Sequence, residues 1–277
     1  MTKIVGVLHP GAMGSSVAAC ARAAGNDVRW ASAGRSEASQ ARAVQDGLRD
    51  AGELSSLVAD AQVLISVCPP SEARALADAV FELGFTGTFV DANAIDPATA
   101  TGIAAAAAAA GVDFIDGGIV GPPARAPGRT VLYLSGDGAQ GVGRLFDGSD
   151  LETVALPGGA GRASAMKMAY AAYTKGHAAL LLAVRALARA EQVEAPLLAH
   201  WERTHQGLAA TSEFTAKLTA PKAWRFAGEM REIAATFEGA GLPGGFHDAA
   251  AELYGRLGPL KDSQEESLDS VLAALLR

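Results

Sequence analysis

Short runs of apolar, often β-branched residues alternate with stretches of helix formers through the first half of the chain. Ile4–Leu8, Val28–Ala31, Val63–Val67, Thr88–Val90, Phe114–Ile115 and Val131–Leu134 read as strands. Between them, Ser15–Ala24, Glu37–Asp46, Glu72–Leu83 and Ala98–Ala110 predict helices, the alanine run Ala104–Ala110 being part of the last. Alternation with connections this short predicts an α/β, doubly wound, mostly parallel sheet with helices on both faces. The pattern stops near Leu156. After Pro157 and Gly158-Gly159 the period lengthens, and a long helix is expected from Arg162 to about Ala190. Further helices are predicted over Pro196–Arg203, Thr215–Leu218, Ala223–Ala240, Phe246–Leu257 and Gln264–Leu276, punctuated by Pro196, Pro221 and Pro243. The expected organisation is therefore an α/β domain over residues 1–157 and an all-α domain over residues 158–277.

The turn after the first strand reads His9-Pro10-Gly11-Ala12-Met13-Gly14. A dinucleotide-binding loop at this place needs close backbone approach at its later glycines and free amides at a helix N-terminus. Gly11 and Gly14 hold the spacing of the second and third glycines of Gly-x-Gly-x-x-Gly, while His9 replaces the first. That replacement is tolerable at negative φ, and Pro10 presets the next residue near −65° without donating an N–H. A plain strand–helix turn fits the same spacing; the position after the first strand of an alternating half favours the phosphate loop. The first domain is thus expected to be of Rossmann type.

At the end of the second strand, an NAD-selective site places an acid to accept from the ribose 2′-hydroxyl. Here Trp30-Ala31-Ser32-Ala33-Gly34-Arg35-Ser36 has none before Glu37. Arg35 with Ser32 and Ser36 suits a 2′-phosphate better, as a charged fork with neutral donors beside it. The competing reading is a solvated surface arginine; NADP is the expected cofactor.

Composition narrows the classes. The net charge of −7 over 277 residues, with 19% charged, argues against a nucleic-acid partner held through phosphates. Lys3 sits directly before the first strand-like run without a basic region and cleavable apolar stretch, so no leader is expected. The most apolar later segment, near Ala178–Leu187, is interrupted by Arg185, so no membrane span is expected. Cys20 and Cys68 have neither metal spacing nor a secreted disulfide pattern and are expected as thiols in a reducing cytoplasm. His200, His205 and His247 form no metal spacing, so no metal is expected.

Four ordered blocks carry a resemblance. Gly6-Val7-Leu8-His9-Pro10-Gly11-Ala12-Met13-Gly14 is similar to Gly-Phe-Ile-Gly-Leu-Gly-x-Met-Gly. Val90-Asp91-Ala92-Asn93-Ala94-Ile95-Asp96-Pro97 corresponds to a strand ending in Asp-x-Ser-Thr-x-x-Pro. Asp116-Gly117-Gly118-Ile119-Val120-Gly121-Pro122 matches Asp-Ala-Pro-Val-Ser-Gly-Gly, and Gly158–Lys167 resembles Gly-x-x-Gly-x-Gly-x-x-x-Lys. Over nearly its full length the chain resembles the β-hydroxyacid dehydrogenases, which include 6-phosphogluconate and 3-hydroxyisobutyrate dehydrogenases, and looks closest to a subgroup with its own C-terminal domain. The resemblance implies cofactor contacts at His9, Pro10, Gly11, Ala12, Met13 and Gly14, and at Cys68, Pro69 and Asn93. It implies substrate contacts at Val120, Gly121 and Pro122, with Lys167 as the catalytic lysine. Two departures matter: the family's carboxylate-holding serine is Val120, and the asparagine one turn past the lysine is Ala171, beside Tyr170.

On the predicted helix, Lys167, Tyr170 and Thr174 share a face. Among Ala163, Ala165, Met166, Met168 and Ala169 a lone lysine is conspicuous, and apolar surroundings lower a lysine's hold on its proton. Lys167 is therefore expected to exchange a proton with an alcohol or carbonyl oxygen, against the alternative of snorkelling to solvent, which suits Lys175 better. Tyr170 either hydrogen-bonds the reacting oxygen or fills space. Thr174 and His177 are packing groups, or in the case of Thr174 a substrate contact. Arg225 and Glu229 are spaced to pair on a helix, while Trp224 or Arg225 is a candidate to close over the substrate.

The expected function is an NADP-dependent oxidoreductase transferring hydride between the nicotinamide and a hydroxy or keto substrate, hydroxy acids included, with Lys167 as general acid–base. One alternative is imine reduction, by a related group that lacks this lysine; the other is a non-catalytic nucleotide-binding regulator. The varied apolar faces of the long helix, and the helical domains' association in the resembled family, predict a homodimer.

Overall fold

The computed structural model describes residues 2–261, 263 and 266–277. The first unit contains β1 (Ile4–Val7), α1 (Ala12–Ala23), β2 (Asp27–Trp30), α2 (Glu37–Gln45), β3 (Arg49–Asp50), α3 (Leu54–Asp60) and β4 (Val63–Ser66). It continues through α4 (Pro70–Glu82), β5 (Thr88–Asp91), α5 (Pro97–Ala109), β6 (Asp113–Val120), β7 (Thr130–Ser135), α6 (Ala139–Gly143) and β8 (Leu151–Leu156). The strands form one sheet in the order β3-β2-β1-β4-β5-β6-β7-β8. All neighbours are parallel except β6 and β7. The order reverses direction at β1, and in sheets of this kind ligands bind beyond the carboxyl ends of the strands at such a point.

The central strands are buried on both faces, which is why they read as unbroken apolar runs. Val63 and Ile65 pack on one face with Val17, Ala18 and Ala21 of α1. Leu64 and Phe89 pack on the other with Leu57 of α3, Ala77 and Val80 of α4, and Ile103 of α5. Asp96 starts α5 by accepting from the amides of Ala98 (2.8 Å) and Thr99 (3.1 Å), with Pro97 in the first turn.

α7 (Arg162–Ala190) carries the chain from the first compact unit, Met1–Met168, into the second, Ala169–Arg277. The second unit adds α8 (Glu194–Thr204), α9 (Leu208–Thr219), α10 (Ala223–Gly239), α11 (Gly245–Arg256) and α12 (Leu268–Leu275). The sequence places the last helix from Gln264; Gln264 and Glu265 lie outside the described residues. Arg185, the charge that interrupts the apolar part of α7, is buried and donates to Glu194 (2.7 Å) and to Ser212. Among the described residues no helix is long and apolar enough to cross a membrane.

Candidate functional site

The first loop is built tightly. The Leu8 amide extends the pairing of β1 to Ile65 O (3.1 Å), and α1 opens with Ser15 N donating to Gly11 O (2.8 Å). His9 is not among the residues of positive φ, so the condition for replacing the first glycine is met. A Cβ on Gly14 would lie 2.0 Å from His9 O, which only glycine permits. A Cβ on Gly11, by contrast, would meet no protein atom within 4 Å. Gly11 caps α1 in an extended conformation with no side-chain bond, leaving the amides of Ala12, Met13 and Gly14 as the open first turn. Arg42 of α2 donates to Pro10 O (3.0 Å) and holds the loop from outside, a contact 32 residues apart that no local motif announces.

Across from this loop lies the turn after β2, closed by Arg35 N donating to Ser32 O (3.0 Å). Ser36 accepts from Ser39 N (3.3 Å) and so caps α2. Arg35 is half-buried, and its Nε has no hydrogen-bond partner; the same is true of His9 Nδ1. Burial, and second the nearby charge of Arg35, push the His9 imidazole down to about 4, so it is neutral at pH 7. The short strand β3, absent from the sequence prediction, sets Asp50 beside Trp30; Asp50 accepts from Gly52 N (2.8 Å).

At the ends of β4 and β5, Asn93 acts as a clamp. It accepts from Cys68 N (2.6 Å) and donates through Nδ2 to Ser66 Oγ (2.9 Å) and Asp91 Oδ2 (3.0 Å). Both polar ends of its side chain are thus engaged within the protein, and its contribution to a bound ligand falls to shaping the loop at Cys68 and Pro69. Burial lifts the Cys68 thiol to about 11 and the Asp91 carboxyl to about 7, the latter against two hydrogen bonds from Asn93.

The neighbouring strand seats Lys167. Asp116, in register with Asp91 and fully buried, accepts from Gly161 N (2.9 Å), Ser164 N (3.0 Å), Ser164 Oγ (2.6 Å) and Ser135 Oγ (3.1 Å). Its negative charge and four acceptor contacts fix the first turn of α7 against β6 and β7. The helix then lies directly on the strand: a Cβ on Gly118 would come within 2.5 Å of Ala163 O and 2.9 Å of Lys167 Cβ. Lys167 is half-buried there. Val120, Gly121 and Pro122 continue from the end of β6. Gly121 adopts φ +125°, and Pro122 O accepts from Thr130 Oγ1 (2.6 Å).

The remaining candidates belong to the second unit. Tyr170 is exposed, and Thr174 turns its hydroxyl back to Tyr170 O (3.1 Å). Trp224 is partly exposed with Lys261 over its ring at 4.3 Å. Two expectations are corrected. Lys175 does not snorkel to solvent; it pairs with Glu229 and lies 4.9 Å from the centre of the Phe226 ring. Arg225 consequently does not pair with Glu229 but sits 5.8 Å from the Trp224 ring. A partner across two helices outcompetes the one a turn away because it is more buried.

Residues 4–142 match the family model described as the NAD binding domain of 6-phosphogluconate dehydrogenase. The chain belongs to this family. It is accordingly an NAD(P)-dependent oxidoreductase of the β-hydroxyacid dehydrogenase kind. Residues 188–257 match a domain described as of unknown function, DUF1932. No curated protein matches the chain. Three of the solved structures that share its fold at low identity serve as examples. A Mycobacterium tuberculosis 3-hydroxyisobutyrate dehydrogenase with L-serine is 18% identical, covering 100% of both chains at a TM-score of 0.73. A conserved hypothetical protein from Sinorhizobium meliloti is 23% identical, covering 99% of this chain and 96% of the other at 0.70. A reductive aminase from Aspergillus terreus, in complex with NADPH and ethyl levulinate, is 21% identical, covering 99% of both at 0.58.

The first-unit residues fit a nicotinamide dinucleotide. Gly11 leaves room for phosphate oxygens to approach the backbone, Gly14 lets the helix N-terminus come close, and two buried nitrogen atoms lack partners beside them.

Proposed function

We propose that the protein is an NADP-dependent dehydrogenase or reductase that interconverts a hydroxy and a keto substrate, with Lys167 as the general acid–base. The observation that carries this reading is the seating of Lys167: Gly118 lets α7 lie on β6, and Asp116 locks its first turn. A nicotinamide bound at the strand ends supplies the partner for hydride transfer. Lys167 accepts the alcohol proton in the oxidative direction and donates to the carbonyl oxygen in the reductive one. Tyr170, one helical turn on, is the candidate second donor to that oxygen. With Val120 and Ala171 in place of the family's polar contacts, the substrate is held by fewer carboxylate-directed groups than a simple 3-hydroxy acid would use.

The NADP preference rests on Arg35, whose Nε lacks a partner, with Ser32 and Ser36 as neutral donors. That the Aspergillus terreus reductive aminase is in complex with NADPH is compatible with this choice. The test is a titration of both cofactors. NADPH should bind at least tenfold tighter than NADH, and Arg35→Ala should erase most of that ratio, a charge-assisted contact being worth about 1.5–3 kcal/mol. Equal wild-type affinities would overturn the assignment. We also propose a homodimer built on the second unit. Tyr173, Leu180 and Leu187, seven residues apart along α7, are 73%, 48% and 61% exposed, an apolar line suited to a second copy of the same helix.

A further inference from the structure

His9 stands where a small residue would suffice. The tight approach of Gly14 concerns its carbonyl oxygen, not its ring. Its Nδ1 is nonetheless buried with no partner, and so is Nε of Arg35 on the turn after the adjacent strand. Buried polar nitrogens in folded proteins are almost always hydrogen-bonded, and leaving one unmade is costly. Two such atoms in facing loops, close enough for the guanidinium charge to act on the imidazole, describe a site made for a ligand's acceptors.

We propose that His9 reads the cofactor's 2′-phosphate together with Arg35 and takes up a proton from solution as the phosphorylated dinucleotide binds. The inference rests on the NADP reading given above and adds a residue and a linkage to it. Without ligand, burial and the Arg35 charge keep the ring neutral at pH 7. A phosphate dianion against Arg35 cancels that repulsion and adds an attraction, and both changes favour the imidazolium. The charged ring then offers a donor on each nitrogen, so the unpartnered Nδ1 gains an acceptor. The other groups facing this corner do not compete for the proton. Arg42 of α2 is engaged with Pro10 O, and the Cys68 thiol, which feels the same Arg35 charge, is held neutral by burial. One consequence is that cofactor choice depends on pH: acidification strengthens NADP⁺ binding relative to NAD⁺.

Calorimetric titration of NADP⁺ and NAD⁺ in buffers of different ionisation enthalpy, with wild type and His9→Gln between pH 6 and 8, measures the protons taken up. The 2′-phosphate itself titrates at about 6 and is pushed lower by a charged His9, so the proton counts are compared at pH 7 to 8, where it is a dianion both free and bound. With NADP⁺ the wild type should take up as much as about one proton more than His9→Gln, and its affinity should gain up to roughly tenfold per pH unit relative to the variant as pH falls. With NAD⁺ the two proteins should take up the same number of protons, and a thermal melt of each shows that the variant is folded. Equal proton counts with NADP⁺ would overturn the proposal, and an equal His9-dependent uptake with NAD⁺ would move the contact to the pyrophosphate and overturn it as well. The wild type alone gives an independent answer by NMR: a His9 ring that titrates at the same pH with and without NADP⁺ refutes the linkage. NADP⁺ binding no tighter than NAD⁺ to the wild type is a different failure, that of the cofactor reading itself.

Discussion

Gly11 and Gly14 separate two reasons for a glycine in the first loop, and replacing each by alanine should give opposite signatures. Gly11→Ala adds a methyl group that meets no protein atom within 4 Å, at φ −66° and ψ −177°, where alanine is unstrained. The weaker N-cap and the stiffer unfolded chain act in opposite directions, each by a few tenths to about 1 kcal/mol, so the net stability change should stay within about 0.5 kcal/mol. The methyl group does occupy the space through which phosphates approach the helix amides. Losing one charge-assisted contact there costs about 1.5–3 kcal/mol, or roughly 10- to 150-fold in NADPH affinity. Gly14→Ala instead puts its methyl group 2.0 Å from the His9 carbonyl, whereas ordinary contact begins at 3.4 Å. Loop and helix must part, at the upper end of the ~1–3 kcal/mol typical of overpacking, which lowers Tm by roughly 2–4 °C per kcal/mol. NADPH fluorescence titration and thermal melting of both variants provide the test. Wild-type NADPH affinity in a folded Gly11→Ala protein would mean that the loop is only a tight turn, and the cofactor site would have to be sought elsewhere.

Two other expectations concern the second unit. His247 is buried between Phe237 and Phe246, its ring centre 4.4 Å from the first, and burial lowers its pKa below 6.5 despite Asp248. The unfolded chain therefore binds the proton more readily, so stability is lost as pH falls below 6.5; His247→Leu should flatten that part of a urea-denaturation pH profile, and an unchanged slope would refute the burial argument. For assembly, light scattering at micromolar concentration should give a dimer mass. Leu180→Glu together with Leu187→Glu should shift it towards monomer, and a folded wild-type monomer would exclude the proposed interface.

Much of the fold is legible in periodicity. The bounds of α7 emerge from its long apolar period and the glycines before it, and β1, β4 and β5 emerge because both of their faces are buried. β3 escapes notice because it is two charged residues long, and β8 because its edge position leaves Glu152 and Ala155 exposed among apolar neighbours. β6 runs on to Val120 past Gly117-Gly118, a pair that locally reads as a break. Gly118 is there because Ala163 and Lys167 press on it, a contact more than 40 residues away, and Gly117 because a Cβ would come 2.9 Å from Asp91 O on the neighbouring strand. The same limit governs the site. Lys167 stands out by composition alone, but the buried Asp116 that locks its helix and the Asn93 clamp between β4 and β5 are products of strand pairing, which no local spacing reveals.

The central claim is that Lys167 moves the proton that accompanies hydride transfer, and it is tested most directly by turnover in the Lys167→Ala protein. A metabolite screen for carbonyl-dependent NADPH oxidation supplies the substrate. The variant should then bind NADPH as the wild type does while its turnover falls by about 10²–10⁴-fold, the usual loss for a general acid–base. Lys167→Arg should recover little, since guanidinium does not release its proton at working pH. Wild-type turnover in Lys167→Ala would contradict the mechanism.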